Sequence, residues 1–298
     1  MLIRPARPED AEERAALTAV CYPHALVDAA ALRDEKPPPE LCQLSLVAEE
    51  NGRIVASGSL SLSDHGPITA LQVISVAPGA RRKGVGTAMH EALDAHRATL
   101  PATRVRARVT TSEGRSFAEA KGFTPGSRWL ISAVDPREVP PVPRIPAGVT
   151  LSTLADIAEY EPVFELYRAA GADMPGRGDG PGFTFESWLK FAVNGSVSDR
   201  DCSIVAFEGS EPVALTFLNT CAGRGFNSLA GTRADRRGRG LATLVKTVSL
   251  HKAAAKGVAL VYTANSDANA PMLAVNTRLG YVPALEEISM GRSVAKSE

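Results

Sequence analysis

No apolar run in this 298-residue chain approaches the roughly 18 residues that span a bilayer, and the opening Met1-Leu2-Ile3-Arg4-Pro5 lacks the apolar segment of a signal peptide. A cytoplasmic location is expected, with no membrane partner. Aromatic residues are scarce at 5% against 44% hydrophobic, so the cores must be built from Ala, Val and Leu. Net charge is missing too. With 33 basic and 33 acidic side chains there is no general pull toward nucleic acid, and local basic clusters must be read as local sites. Cys21, Cys42, Cys202 and Cys221 are scattered without the pairing of a zinc site or a redox dithiol, so no metal is expected.

What the chain does contain, it contains twice. Arg81-Arg82-Lys83-Gly84-Val85-Gly86 and Arg237-Gly238-Arg239-Gly240-Leu241-Ala242 each stand between a strand-like run and an amphipathic helix. Upstream of each lies a strand, a turn and a strand: Leu44 to Glu49, Asn51-Gly52 and Ile54 to Leu62; then Ser203 to Phe207, Gly209-Ser210 and Val213 to Leu218. Downstream come a helix, a strand (Val105 to Val109; Ala259 to Thr263), a second helix and a Gly-aromatic stop at Gly122-Phe123 or Gly280-Tyr281. The prolines between Asp135 and Gly148 remove backbone donors and mark a semi-rigid linker. The expected division is therefore a domain over 1–135, closed by the strand around Trp129-Leu130-Ile131, a linker over 136–148, and a second domain over 149–298.

Small residues in these loops let a backbone approach a ligand closely, and a helix start offers unpaired amides to an anion. The amides from Arg82 to Thr87, with Arg81, Arg82 or Lys83 beside them, suit a pyrophosphate. Neither copy has the Gly-Lys-Ser/Thr of a Walker loop, and Met89 and Thr243 stand where a dinucleotide fingerprint has its third glycine.

The runs Val76-x-Pro78-x-x-Arg81-x-x-Gly84-x-Gly86 and Arg237-x-x-Gly240-x-Ala242 resemble the acyl-CoA-binding motif of the GCN5-related N-acetyltransferases, and the flanking strand order is similar. The resemblance covers nearly the whole chain as two tandem copies. It implies an α/β (α+β) fold, each domain a mixed, bent sheet flanked by helices, whose fourth and fifth strands splay to admit the pantetheine arm of acetyl-CoA. It further implies acetyl transfer to the primary amine of a small molecule, with a peptide amine or mere acyl-CoA binding as alternatives, in a monomer or homodimer. Implied contacts to the donor are Val76, Arg81, Arg82, Lys83, Gly84, Val85, Gly86 and Thr87 in the first copy. In the second they are Thr232, Arg233, Arg237, Gly238, Arg239, Gly240, Leu241 and Ala242, joined by Asn265 and Asn269. One or both domains could hold a donor. Asn269 either caps the helix that Pro271 opens or meets the arm, whereas Asn276 lies inside that helix, where capping cannot explain it.

Acetyl transfer needs a neutral amine, and an alkylamine of pKa about 10.4 is only about 0.1% neutral near pH 7.4, a cost of about 4 kcal/mol. Members of the family often carry a carboxylate on the fourth strand as base, and a tyrosine four residues before the Gly-aromatic pair as acid. Here the strands offer Gln72 and Ser75, or Ser228 and Thr232, and the tyrosine position holds Ala118 or Asn276. Ala118 cannot protonate anything, so the second copy is read as the catalytic one. Asn276 and Thr232 line its chemistry, and Asp173, in the long connection from Gly171 to Asp201, is the base on offer. None of His24, His65, His90, His96 and His251 recurs in both copies, so all five are read as structural.

Overall fold

The computed structural model describes residues 1–63, 69–174 and 184–294. In chain order, the first copy runs β1 (Leu2–Pro5), α1 (Ala11–Cys21), α2 (Ala29–Arg33), β2 (Leu44–Glu50), β3 (Arg53–Ser63), β4 (Thr69–Val76), α3 (Val85–Ala98), β5 (Arg104–Val109), α4 (Ser112–Ala120) and β6 (Thr124–Val134). The second runs β7 (Val149–Thr153), α5 (Glu161–Ala172), α6 (Phe185–Trp188), β8 (Ile204–Glu208), β9 (Glu211–Cys221), β10 (Arg224–Thr232), α7 (Leu241–Ala255), β11 (Leu260–Asn265), α8 (Ala270–Arg278) and β12 (Val282–Ser293). Between Asp135 and Gly148 there is no helix or strand. His65 and, in the long connection after Gly171, the glycine-rich run Gly176, Gly178, Gly180, Pro181 and Gly182 lie outside the described residues.

The elements follow from local chemistry. Asn51 and Gly52 both take positive φ, 50° and 73°, the geometry of a tight hairpin, and they join β2 to β3 where the sequence places the turn. Along β3, Ala56, Gly58 and Leu60 are buried while Ser57, Ser59 and Ser61 alternate with them. A β-carbon on Gly58 would meet Met89 of α3 at 2.9 Å, so glycine lets that helix lie against the strand.

By its contacts the chain forms two units. Unit 1 is Met1–Arg128 with the C-terminal segment from Glu286; unit 2 is Trp129–Leu285. In unit 1 the strand order is β1-β2-β3-β4-β5-β12, and in unit 2 it is β7-β8-β9-β10-β11-β6. Both are mixed sheets: β4 runs parallel to β5, β10 runs parallel to β11, and the other paired strands are antiparallel. The closing strands are exchanged between copies. Residues Leu130 to Val134 of β6, read as the end of the first copy, pair with β11, and Ile288 to Ser293 of β12 pair with β5. A strand's side-chain pattern records which face it buries and not which neighbour it pairs with, so sequence copies and compact units are different divisions.

The core of unit 1 packs Val85, Met89 and Leu93 of α3 on Ala56 and Leu60 of β3. Unit 2 concentrates its aromatics instead, with Phe164, Tyr167, Phe185 and Phe217 gathered around Trp188 at centroid distances of 5.5, 5.7, 6.0 and 5.9 Å.

Candidate active site

Both loops fold into the same device. Arg81 Nε donates to the Val76 carbonyl at 3.1 Å, and Arg237 Nε to that of Thr232 at 3.3 Å, tying each loop to the end of its strand. Gly84 and Gly240 precede the helices with φ of 84° and 76°. A β-carbon at either would meet nothing, so glycine is required by the left-handed backbone rather than by crowding. Arg82 takes φ 61° where the second loop has Gly238 at 77°. The first bonds that close the helices are Ala88 N–H to Gly84 O and Leu244 N–H to Gly240 O, both 3.0 Å. The amides of Val85, Gly86 and Thr87, and of Leu241, Ala242 and Thr243, are therefore left without a helical acceptor.

Charge separates the loops. Among the described residues, Arg81, Arg82 and Lys83 form no ion pair. In the second loop, Arg237 pairs with Asp173, Arg239 with Glu208 at 2.6 Å, and Arg233 with Asp235 and Glu211, both at 2.7 Å. The carboxylate read as a base is thus bound to the loop arginine. The Ala77 and Arg233 amides, just past the strand ends, are committed to the carbonyls of Val55 and Val213 at 2.9 Å.

Beyond the loops the units diverge further. In unit 1, β4 and β5 pair only from Thr69–Arg104 to Leu71–Arg106 and then part. A cavity of about 430 Å³ opens from there to the loop, between Ile74 and Val76 on one strand and Ala107 and Val109 on the other, with His90, Phe117 and Ala118 beneath. That volume falls in the range of small-ligand sites. In unit 2, β10 and β11 also part, after Asn227–Thr263, but the cavity there is about 20 Å³, roughly one water.

Lys246 explains the difference. It stands six residues beyond Gly240, the place His90 holds relative to Gly84, and it is 1% exposed. Its Nζ donates to Asn276 Oδ1 at 2.7 Å, and Asn276 Nδ2 donates to Asn265 Oδ1 at 2.7 Å. Nζ also lies 5.0 Å from the Tyr281 ring centroid. Burial alone pulls the ammonium down to about 7. Asn276, expected to serve chemistry, is a buried bridge between a lysine and an asparagine. Asn269 caps α8, its side chain accepting from Met272 N–H at 3.4 Å, and Thr232 ends β10 with its carbonyl held by Arg237.

Two polar pairs in unit 1 escaped the sequence reading. Gln72 Nε2 lies 3.2 Å from His90 Nδ1 on the cleft floor, and burial, with Arg292 second, pushes the His90 imidazole below the ordinary range. His24 Nε2 meets Glu287 Oε2 at 2.9 Å, both buried, with Arg108 Nη1 3.6 Å from the same carboxylate. Tyr22, a cleft-wall residue, packs edge-on to His24 at 6.4 Å and donates to the Arg108 carbonyl at 3.2 Å. Burial raises the Tyr22 phenol to about 12. Neither histidine has a histidine counterpart in the other copy, so repetition in the sequence does not mark these pairs. The available signal was positional: a donor side chain, His90 or Lys246, at the same place in both helices.

Residues 11–123, a span that includes the open cleft's strands and loop, match the Acetyltransferase (GNAT) family. No curated protein matches the sequence. The structure is similar to the tandem GNAT protein from the clavulanic acid biosynthesis pathway, at 25% identity and a TM-score of 0.76, covering 100% of this chain and 99% of that one. The fold is also that of a GCN5-related N-acetyltransferase from Sphaerobacter thermophilus, at 21% identity and a TM-score of 0.70, covering 98% of this chain and 95% of the other. With duplicated loops, matching mixed sheets and a full-length tandem counterpart, the chain belongs to the GCN5-related N-acetyltransferase superfamily as a tandem member, and it is an acyltransferase.

Proposed function

We propose that the chain transfers an acetyl group from acetyl-CoA to the primary amine of a small molecule, and that the donor is seated in unit 1. The observation carrying this is the contrast between two clefts built from the same elements, one of about 430 Å³ and one of about 20 Å³. On this reading the donor sits in the first copy, whereas the sequence had suggested catalysis in the second, with a donor there and possibly in both.

The residues of unit 1 fit such a donor. The amides of Val85, Gly86 and Thr87, left without a helical acceptor, would hold its diphosphate, with Arg81, Arg82 and Lys83 supplying charge that no ion pair engages among the described residues. Ile74 and Val76 would flank the arm on one side, Ala107 and Val109 on the other. Bound there, acetyl-CoA supplies an acyl group already activated as a thioester. The apolar side chains of these walls would exclude water around the reacting groups, which favours the neutral form of an incoming amine. The buried His24–Glu287 pair lies behind Tyr22 and supports that wall of the cleft.

In unit 2, the pairing of Arg233, Arg237 and Arg239 with carboxylates and the chain from Lys246 through Asn276 to Asn265 support one donor per chain. A small-molecule acceptor is supported by the tandem counterpart, which comes from a pathway that makes a small molecule. Incubation with acetyl-CoA and a panel of small amines and peptides, followed by free thiol release, tests the proposal. Release with a small amine is expected; release with peptides alone would reassign the acceptor, and silence throughout would overturn transfer to amines.

A further inference from the structure

The floor of the open cleft holds a polar group that the phosphate loop does not use. Gln72 lies one residue beyond the last β4–β5 pair, and it and His90 are each 4% exposed. The nitrogen of an amide side chain can only donate, so at 3.2 Å His90 Nδ1 accepts from Gln72 and the ring proton resides on Nε2. Phe117 and Phe123 meet the imidazole edge-on at 6.2 and 6.3 Å, which fixes its plane. Among the described residues Nε2 has no protein partner, yet it is not one of the polar atoms sealed from solvent. Its N–H therefore opens on the cavity His90 lines.

We propose that His90 is a binding residue for the acyl donor, its Nε2–H donating a hydrogen bond to an amide carbonyl of the pantetheine arm. This rests on the reading of unit 1 as the donor site. His90 stands six residues along α3 from Gly84, about 9 Å down the helix axis from the diphosphate seat and on the way into the splayed strands. An arm entering there buries its amides between apolar walls, Ile74, Val76, Ala107 and Phe117, and each buried carbonyl needs a donor. The corresponding side chain of unit 2 shows what the position does without a ligand to meet: Lys246 turns its donor onto Asn276, and the space is closed. In unit 1 the facing residue is Ala118, which offers no acceptor, so the His90 donor stays available.

Calorimetry with two ligands tests this: coenzyme A, and adenosine 3′,5′-bisphosphate, which keeps adenine, ribose and phosphate but has no arm. His90→Phe should weaken coenzyme A by roughly 3- to 10-fold and leave the bisphosphate unchanged, while His90→Gln, which restores an N–H, recovers much of the loss. In the unmodified chain carrying ¹⁵N-histidine, the His90 Nε2 resonance should shift with coenzyme A and stay in place with the bisphosphate, a readout that does not depend on a variant folding. Equal weakening of both ligands, or a silent Nε2, would overturn the role of His90. Failure of the unmodified chain to bind either ligand would instead overturn the donor-site reading beneath it.

Discussion

Lys246 is a fully buried amine with no carboxylate beside it among the described residues, and its cost depends on pH. Its folded pKa, about 7, lies below the unfolded value of 10.5. Between the two, the unfolded chain binds a proton the folded chain does not, so the Lys246 contribution to stability rises with pH and is constant below about 7. Cys202, raised by burial to about 12 from 9.0, works in the opposite sense above about 9, so the clean window is from about 7 to about 9. Both tryptophans, Trp129 and Trp188, belong to unit 2, so their fluorescence in urea follows this unit. The midpoint should climb with pH in that window, by at most about 1.4 kcal/mol per unit, and Lys246→Met should flatten it. From the sequence, Asn276 was legible as a residue that capping could not explain. Its partner was not, because Lys246 is 30 positions away on another helix and only packing brings them together.

At the scale of elements, the loops, hairpins and helices were legible because each is specified by nearby residues. The strand expected over Ile54 to Leu62 spans Arg53–Ser63, and that expected over Val105 to Val109 spans Arg104–Val109. How far two strands splay was not legible, since the width of a cleft depends on what fills it: Ala118 on α4 in one unit, Asn276 on α8 in the other. Close approach between elements is also invisible until they pack. A β-carbon on Gly231 of β10 would collide with Ala170 Cβ of α5, so that helix rests on a glycine. Gly231→Ala should destabilise unit 2 by about 1–3 kcal/mol through overpacking, read as a lowered urea midpoint of tryptophan fluorescence.

Over the whole molecule, the duplication was legible and the exchange of closing strands was not. The last strand of the second copy completes the sheet of unit 1 by pairing Ile288 to Ser293 with β5. A chain ending at Leu285 should therefore lose acetyl-CoA binding in unit 1 while unit 2 keeps the fluorescence of buried Trp188. Calorimetry with acetyl-CoA and fluorescence on the same sample check both halves of that expectation.

The most direct test is a calorimetric titration counting acetyl-CoA per chain, repeated on two glycine variants. Asp at position 84 would place a β-carbon on a left-handed backbone and a carboxylate against the anion seat; Asp at 240 would do the same to the loop of the closed unit. One equivalent should bind the unmodified chain, Gly84→Asp should abolish it, and Gly240→Asp should leave it intact. Two equivalents, or binding lost with Gly240→Asp and kept with Gly84→Asp, would contradict the assignment of the donor to unit 1.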